Sequence, residues 1–153
     1  MIIKDLYLQA FGPFTDTSLD FDGSCPGLHV VYGPNESGKS STLRALKYWL
    51  FGFPERTSDN FVHPNDRLSI SGTLMNSKRE MLTFTRRKKR KGSALDCTGN
   101  ILDEGRVQAW LQGLNRETFE ALFGLDHPGL VQGGTAILEE KGSAGSTLFS
   151  AGT

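Results

Sequence analysis

One octapeptide restricts what this chain can fold into more than any other feature: Gly33-Pro34-Asn35-Glu36-Ser37-Gly38-Lys39-Ser40, a complete G-x-x-x-x-G-K-[ST] phosphate-binding loop. The motif works only between a strand that feeds it and a helix that leaves it. Residues 28–32, Leu-His-Val-Val-Tyr, read as a buried strand, and residues 41–51 read as a helix. Two glycines let the backbone curl so that successive N–H groups converge on one anion. The new helix adds its orphan N–H groups and its positive dipole end. In that setting Lys39 reaches the β- and γ-phosphates, and the Ser40 hydroxyl ligates Mg²⁺. Gly33, Pro34, Asn35, Glu36, Ser37, Gly38 and Ser41 complete the cradle. The competing reading, a glycine-rich turn that binds nothing, is weak against a full motif in this context.

The order of elements around the loop departs from a doubly wound nucleotide fold, which alternates strand and helix at once. Residues 2–10 alternate as a strand, with Ile3, Leu6 and Leu8 on its core side. Phe11-Gly12-Pro13-Phe14 is a turn, and residues 18–21 form a second strand. The helix after the loop places Leu43, Leu46, Trp49 and Leu50 at core spacing, and Gly52-Phe53-Pro54 stops it. A polar loop follows over residues 55–66. Residues 68–74 and 81–85 alternate cleanly around a hairpin loop at 76–80, and a third strand is expected over 94–97. Short helices are expected over 103–111 and 116–123, and a last helical stretch near 135–141. The fold class is α+β of the α/β P-loop NTPase type, an antiparallel β-meander beside a P-loop core.

Seventeen basic and seventeen acidic residues balance over 153 positions, so overall charge argues for no nucleic-acid partner. The length suffices for one domain with a real core. Cys25 and Cys97 are far apart, without metal-ligand spacing, and read as free thiols in a reducing compartment. The first residues are no signal peptide, and no apolar run is long enough to span a bilayer. The expectation is a soluble, cytoplasmic protein without a membrane partner.

Two strands around Phe-Gly-Pro-Phe, then Gly33 through Lys39-Ser40-Ser41-Thr42-Leu43, resemble the amino-terminal lobe of SMC-type ATPases. That group includes RecF, RecN and SbcC, and within it the resemblance is to the YhaN-like AAA family. Phe119-Glu120-Ala121-Leu122-Phe123-Gly124-Leu125-Asp126 and Leu148-Phe149-Ser150-Ala151-Gly152 carry it further, to nearly the whole chain. The usual pattern has glycine where this sequence has Glu36. The resemblance implies an ABC/SMC-like split head. The amino-terminal lobe holds Walker A, a long coiled coil follows, and the carboxy-terminal lobe returns with the signature motif, Walker B and the catalytic glutamate. It implies ATP and Mg²⁺ as cofactors. The implied partners are the chain's own carboxy-terminal lobe, a second head in a homodimer, double-stranded DNA and a nuclease subunit. The implied role is DNA repair or maintenance in a bacterial cytoplasm or nucleoid, with ATP hydrolysis by the complete protein.

Neither later motif is present in this chain. Leu122-Phe123-Gly124-Leu125-Asp126 lacks the following glutamate, and Leu130-Val131-Gln132-Gly133-Gly134 lacks the signature serine and comes in the wrong order. The chain therefore reads as half a head, cut before the coiled coil; on its own it should bind nucleotide weakly and hydrolyse almost nothing.

Three further groups carry both a functional and a plain reading. Asp126, with His127, falls where the resemblance puts the γ-phosphate sensor, and it is equally a solvated Asp-His-Pro-Gly turn. His63, with Asn65 and Asp66, approaches adenine and ribose if the resemblance holds, or is ordinary surface loop. Arg86-Arg87-Lys88-Lys89-Arg90-Lys91 suits salt-dependent, sequence-indifferent phosphodiester contact, or is a solvated hairpin end. Phe11, Phe14, Trp49 and Trp110 read as core. Two alternatives to the ATPase remain open: another P-loop NTPase (a GTPase or kinase, for which Asp126 matches D-x-x-G but no N-K-x-D follows), and a nucleotide-gated interaction module without catalysis.

Overall fold

The computed structural model describes residues 1–21 and 29–122. Contacts divide the chain into two units, Met1–Leu114 and Asn115–Thr153. In the first unit β1 (Ile2–Phe11) and β2 (Phe14–Asp20) form a hairpin, and α1 (Lys39–Phe51) follows the phosphate loop. Then come β3 (Ser69–Met75), β4 (Met81–Arg87), a two-residue β5 (Ala94–Leu95) and α2 (Glu104–Leu111). The strands make one antiparallel sheet in the order β2-β1-β3-β4-β5. In the second unit α3 (Arg116–Leu122) is preceded by Asn115, whose side-chain oxygen accepts the Thr118 N–H at 2.7 Å. No helix among the described residues is long and apolar enough to cross a membrane.

Period-two alternation decides which face is buried. Leu6, Gly72 and Phe84 form one cross-strand row, and Leu8, Ile70 and Arg86 the next. Gly72 is buried, and the other five are at most 1 % exposed. On the other face hydroxyls pair instead, Ser71 with Thr85 at 2.7 Å and Thr73 with Thr83 at 3.0 Å. The indole of Trp49 lies on the sheet where Gly72 has no side chain; a Cβ there would sit 2.7 Å from the indole and 2.8 Å from the Asp5 carbonyl. The indole stacks on Phe84 with centroids 4.8 Å apart and donates to the Phe84 carbonyl at 3.1 Å.

Trp49 is core as expected, but α1 meets the sheet along a different stripe. Ser41, Ala45, Trp49 and Leu50 are its buried residues, while Leu43 and Leu46 are half-buried. A helix carries more than one apolar row, and the row with small residues at 41 and 45 allows the closer approach. Phe11 is buried, whereas Phe14 and Trp110 are half-buried. The third strand of the meander stops at Leu95. There the Asp96 carboxylate accepts the N–H groups of Thr98 and Asn100, each at 2.9 Å, and turns the chain.

The expected buried strand before the phosphate loop is not found. Leu28 lies outside the described residues, and residues 29–33 carry no strand pairing. Val30 is 68 % and Tyr32 90 % exposed. A strand exists only through its neighbours, and none of the five strands of this sheet runs beside that segment. The antiparallel meander is therefore present, and a P-loop core is not among the described elements.

Candidate functional site

The loop delivers its residues to the start of α1. Gly38 stands at the cap position with φ +92°, and no side chain caps the helix and no acidic residue occupies its first turn. The first N–H groups of α1 therefore have no intrahelical partner, and within the helix's own first turn no carboxylate opposes an anion. Asn35, Glu36, Gly38, Lys39, Ser40 and Ser41 line one cleft of about 380 Å³, together with Pro13 and Phe61. The Lys39 ammonium donates to the carbonyls of Gly33 at 2.8 Å and Pro34 at 2.7 Å, so it closes the loop on itself. Ser37 completes the curl, its N–H reaching the Pro34 carbonyl at 3.3 Å.

Glu36 adopts φ +66°, a left-handed conformation that favours glycine. That is the position at which the sequence departs from the usual glycine, and the side chain is borne there at a steric cost.

A polyphosphate fits this donor set: an ammonium, two hydroxyls and an uncapped helix start. For Mg²⁺ the chain offers the Ser40 hydroxyl. No group of three or more acidic, His or Cys side chains among the described residues could hold a metal. The ion would thus be held jointly with phosphate oxygens and water, the usual preference of Mg²⁺.

Two other segments fix the loop from outside. The β1–β2 turn packs against it: a Cβ on Gly38 would fall 2.4 Å from the Phe14 ring, and one on Gly12, at φ +54°, would fall 3.3 Å from Ser41. Asp59, fully buried, ties the loop after α1 to both. Its carbonyl accepts the Gly12 N–H at 2.9 Å. Its carboxylate takes both donors of the Arg44 fork, at 2.9 and 2.7 Å. Arg44 in turn donates to the Ser41 hydroxyl at 3.0 Å. The Asp59 hydrogen bond raises the Arg44 pKa above its ordinary value, against the opposing pull of burial. His63 reaches the hairpin, its Nε2 lying 2.9 Å from the Phe14 carbonyl and 3.0 Å from the Thr15 hydroxyl. The carbonyl can only accept, so Nε2 carries the proton.

His63 thus lies against the hairpin turn, Asn65 and Asp66 are exposed, and Phe61 is the member of this segment that lines the cleft. Arg44, Asp59 and Phe61 were not legible as site residues. An arginine on a helix and an aspartate in a polar loop look like surface charge, and only the Thr57-Ser58-Asp59 turn signal hinted at order. Asp126, His127 and Gln132 lie outside the described residues.

The basic run divides. Arg86 is 1 % exposed and belongs to the core. Its guanidinium donates to the carbonyls of Trp49 at 3.1 Å and Leu50 at 3.3 Å, to the Ser93 hydroxyl at 2.9 Å, and to the Glu104 carboxylate. Lys88 donates to the carbonyls of Pro54 and Glu55 at 2.7 and 2.8 Å. Both cations close off the C-terminal end of α1 and its exit. Arg86 is thus withdrawn from the expected phosphodiester contacts, because at a strand position facing the helix its charge is taken up by carbonyls. Arg87, Lys89, Arg90 and Lys91 are exposed.

YhaN of Bacillus subtilis (strain 168) is 24 % identical over 133 residues, 84 % of this chain and 13 % of that protein. The SbcC component of the nuclease SbcCD of the same organism is 39 % identical over 64 residues, 39 % of this chain and 6 % of that protein. The chain thus spans a small fraction of the length of the curated relatives it matches. Residues 1–153 match the AAA domain family throughout, and the chain belongs to that family.

Proposed function

We propose that this member of the AAA domain family is the nucleotide-binding lobe of an ATPase of SMC/SbcC type, holding ATP with Mg²⁺ on residues 33–41. The observation that carries the proposal is the cleft itself, in which Lys39, Ser40 and Ser41 meet an uncapped helix start behind a glycine-bearing loop. Lys39 has two carbonyls to leave and phosphate oxygens to gain, so ligand entry opens the self-closed loop. Ser40 would complete the coordination of Mg²⁺, which neutralises charge on the phosphates.

Hydrolysis, on this reading, draws on a carboxy-terminal lobe and on a second head that covers the γ-phosphate. The exposed segment 29–32 is where such a lobe would add its strands. Kinship with the SbcC component of the nuclease SbcCD supports a nuclease partner and a role in DNA repair or maintenance in the cytoplasm. Arg87, Lys89, Arg90 and Lys91 are the DNA-facing candidates, through charge rather than sequence reading. Asp126 remains a proposed γ-phosphate sensor.

The test is calorimetric titration of the chain with Mg·ATP. Lys39→Ala should weaken binding about ten- to hundredfold, the worth of a charged hydrogen-bonding partner. Equal affinity in the two proteins would remove the loop from the site. ATP turnover by a longer protein carrying this lobe should fall with the same substitution.

A further inference from the structure

Phe61 is an aromatic ring held in water. It is 65 % exposed, yet it lines the same cleft as Lys39, Ser40 and Ser41. The chain on either side of it is anchored. Two residues before it, Asp59 is buried and bonded through its carbonyl to Gly12 and through its carboxylate to Arg44. Two residues after it, His63 is bonded to the Phe14 carbonyl. Both anchors end on elements that also hold the phosphate loop: Arg44 on α1, and Gly12 and Phe14 in the turn against Gly38. The backbone that carries the ring is thus held relative to the anion cradle by two short, separate routes.

We infer that Phe61 is the base platform of the nucleotide site: with the phosphates on the loop, the nucleobase stacks on the phenyl face. This rests on the nucleotide reading given above and adds a specificity to it. A phenyl ring has a π face and no hydrogen-bonding atoms, so it senses the area of a base and not its edge. The site should therefore prefer purine to pyrimidine nucleotides and treat adenine and guanine nearly alike. The cleft volume, about 380 Å³, falls within the range of small-ligand sites.

The experiment compares Mg·ATP, Mg·GTP, Mg·CTP and inorganic tripolyphosphate as ligands of the chain and of Phe61→Ala, Phe61→Leu and Phe61→Trp. Tripolyphosphate has no base, so it reports the cradle and the fold alone. Phe61→Ala should weaken ATP and GTP about five- to hundredfold, the range found for base–aromatic stacking, and leave tripolyphosphate unchanged. Phe61→Leu should lose most of the same affinity, while Phe61→Trp should keep it. Unchanged ATP affinity in Phe61→Ala refutes the platform and leaves the nucleotide reading standing. Equal weakening of ATP and tripolyphosphate also refutes it, since the ring would then support the loop. A chain that binds neither ATP nor tripolyphosphate overturns the nucleotide reading and this inference together.

Discussion

Replacing Arg86 by methionine keeps most of the side-chain stem and removes every donor. Arg86 is 1 % exposed, its Cζ lies 5.6 Å from the Phe84 ring centroid, and its guanidinium bonds to Trp49, Leu50, Ser93 and Glu104. Two effects oppose each other. Both α1 carbonyls lose a donor in a place where Trp49 and Leu50 are themselves 0 % exposed, at about 1–3 kcal/mol for each buried group. Removing a buried cation also relieves its desolvation, which offsets part of that loss. Glu104 matters less, since its side chain is 51 % exposed and regains water. The net expectation is a loss of about 3 kcal/mol, or a melting temperature lower by roughly 10 °C for a chain of this size. The paired control is Arg90→Met, an exposed change expected to stay within about 0.5 kcal/mol. Thermal unfolding followed by circular dichroism reads both. If Arg86→Met melts within about 2 °C of the unsubstituted chain, Arg86 is not the closure of α1 described above.

Two more outcomes follow from single residues. Glu36→Gly relieves a left-handed non-glycine residue and removes a carboxylate from the cleft, so tripolyphosphate should bind more tightly, with stability changed by less than about 1 kcal/mol; weaker binding would assign Glu36 a positive role. Asp96 is held below the ordinary aspartate range, first by the Thr98 hydroxyl at 2.7 Å and then by the Asn100 and Thr98 amides. Its folded pKa lies below its unfolded one, so the turn's stabilisation is full above about pH 4 and is lost as pH falls through the depressed value. An NMR titration of the Asp96 carboxyl should show the low midpoint, and Thr98→Val should raise it; an unmoved midpoint would count against the hydroxyl as the main cause.

What the sequence made legible follows from the range of the interactions involved. Alternation in residues 2–10, 68–74 and 81–85 located β1, β3 and β4, because period two is a local consequence of one buried face. The spacing in residues 41–51 located α1, and Gly52 its end. The buried row of α1 was not legible, since it depends on how closely Trp49 can approach Gly72, two residues far apart in the chain. Residues 28–32 have strand composition, but pairing is supplied from elsewhere and no local signal reports it. Arg86 shows the same limit from the opposite side. Within a run of six cations nothing distinguishes it from Arg87, yet strand alternation turns one toward α1 and the other toward water. The phosphate-loop motif was legible as a pattern in residues 33–40, while Arg44, Asp59 and Phe61 join its surroundings through contacts that only the tertiary fold creates.

Much of the cohesion around the cleft ends on main-chain atoms. Asp59 and Gly12 meet amide to carbonyl, His63 takes the carbonyl of Phe14, and Lys39 takes those of Gly33 and Pro34. Every residue type presents the same carbonyl, so these bonds by themselves select no residue type; identity at Gly33, Phe14 and Asp59 is set by other contacts, the Arg44 fork on the Asp59 carboxylate among them. The bonds do restrict chain length between these positions. One residue inserted between Asp59 and His63, or between Gly12 and Phe14, would move an acceptor by more than the reach of a hydrogen bond. Relatives of this chain should therefore keep the spacing from Asp59 to His63 and from Gly12 to Phe14.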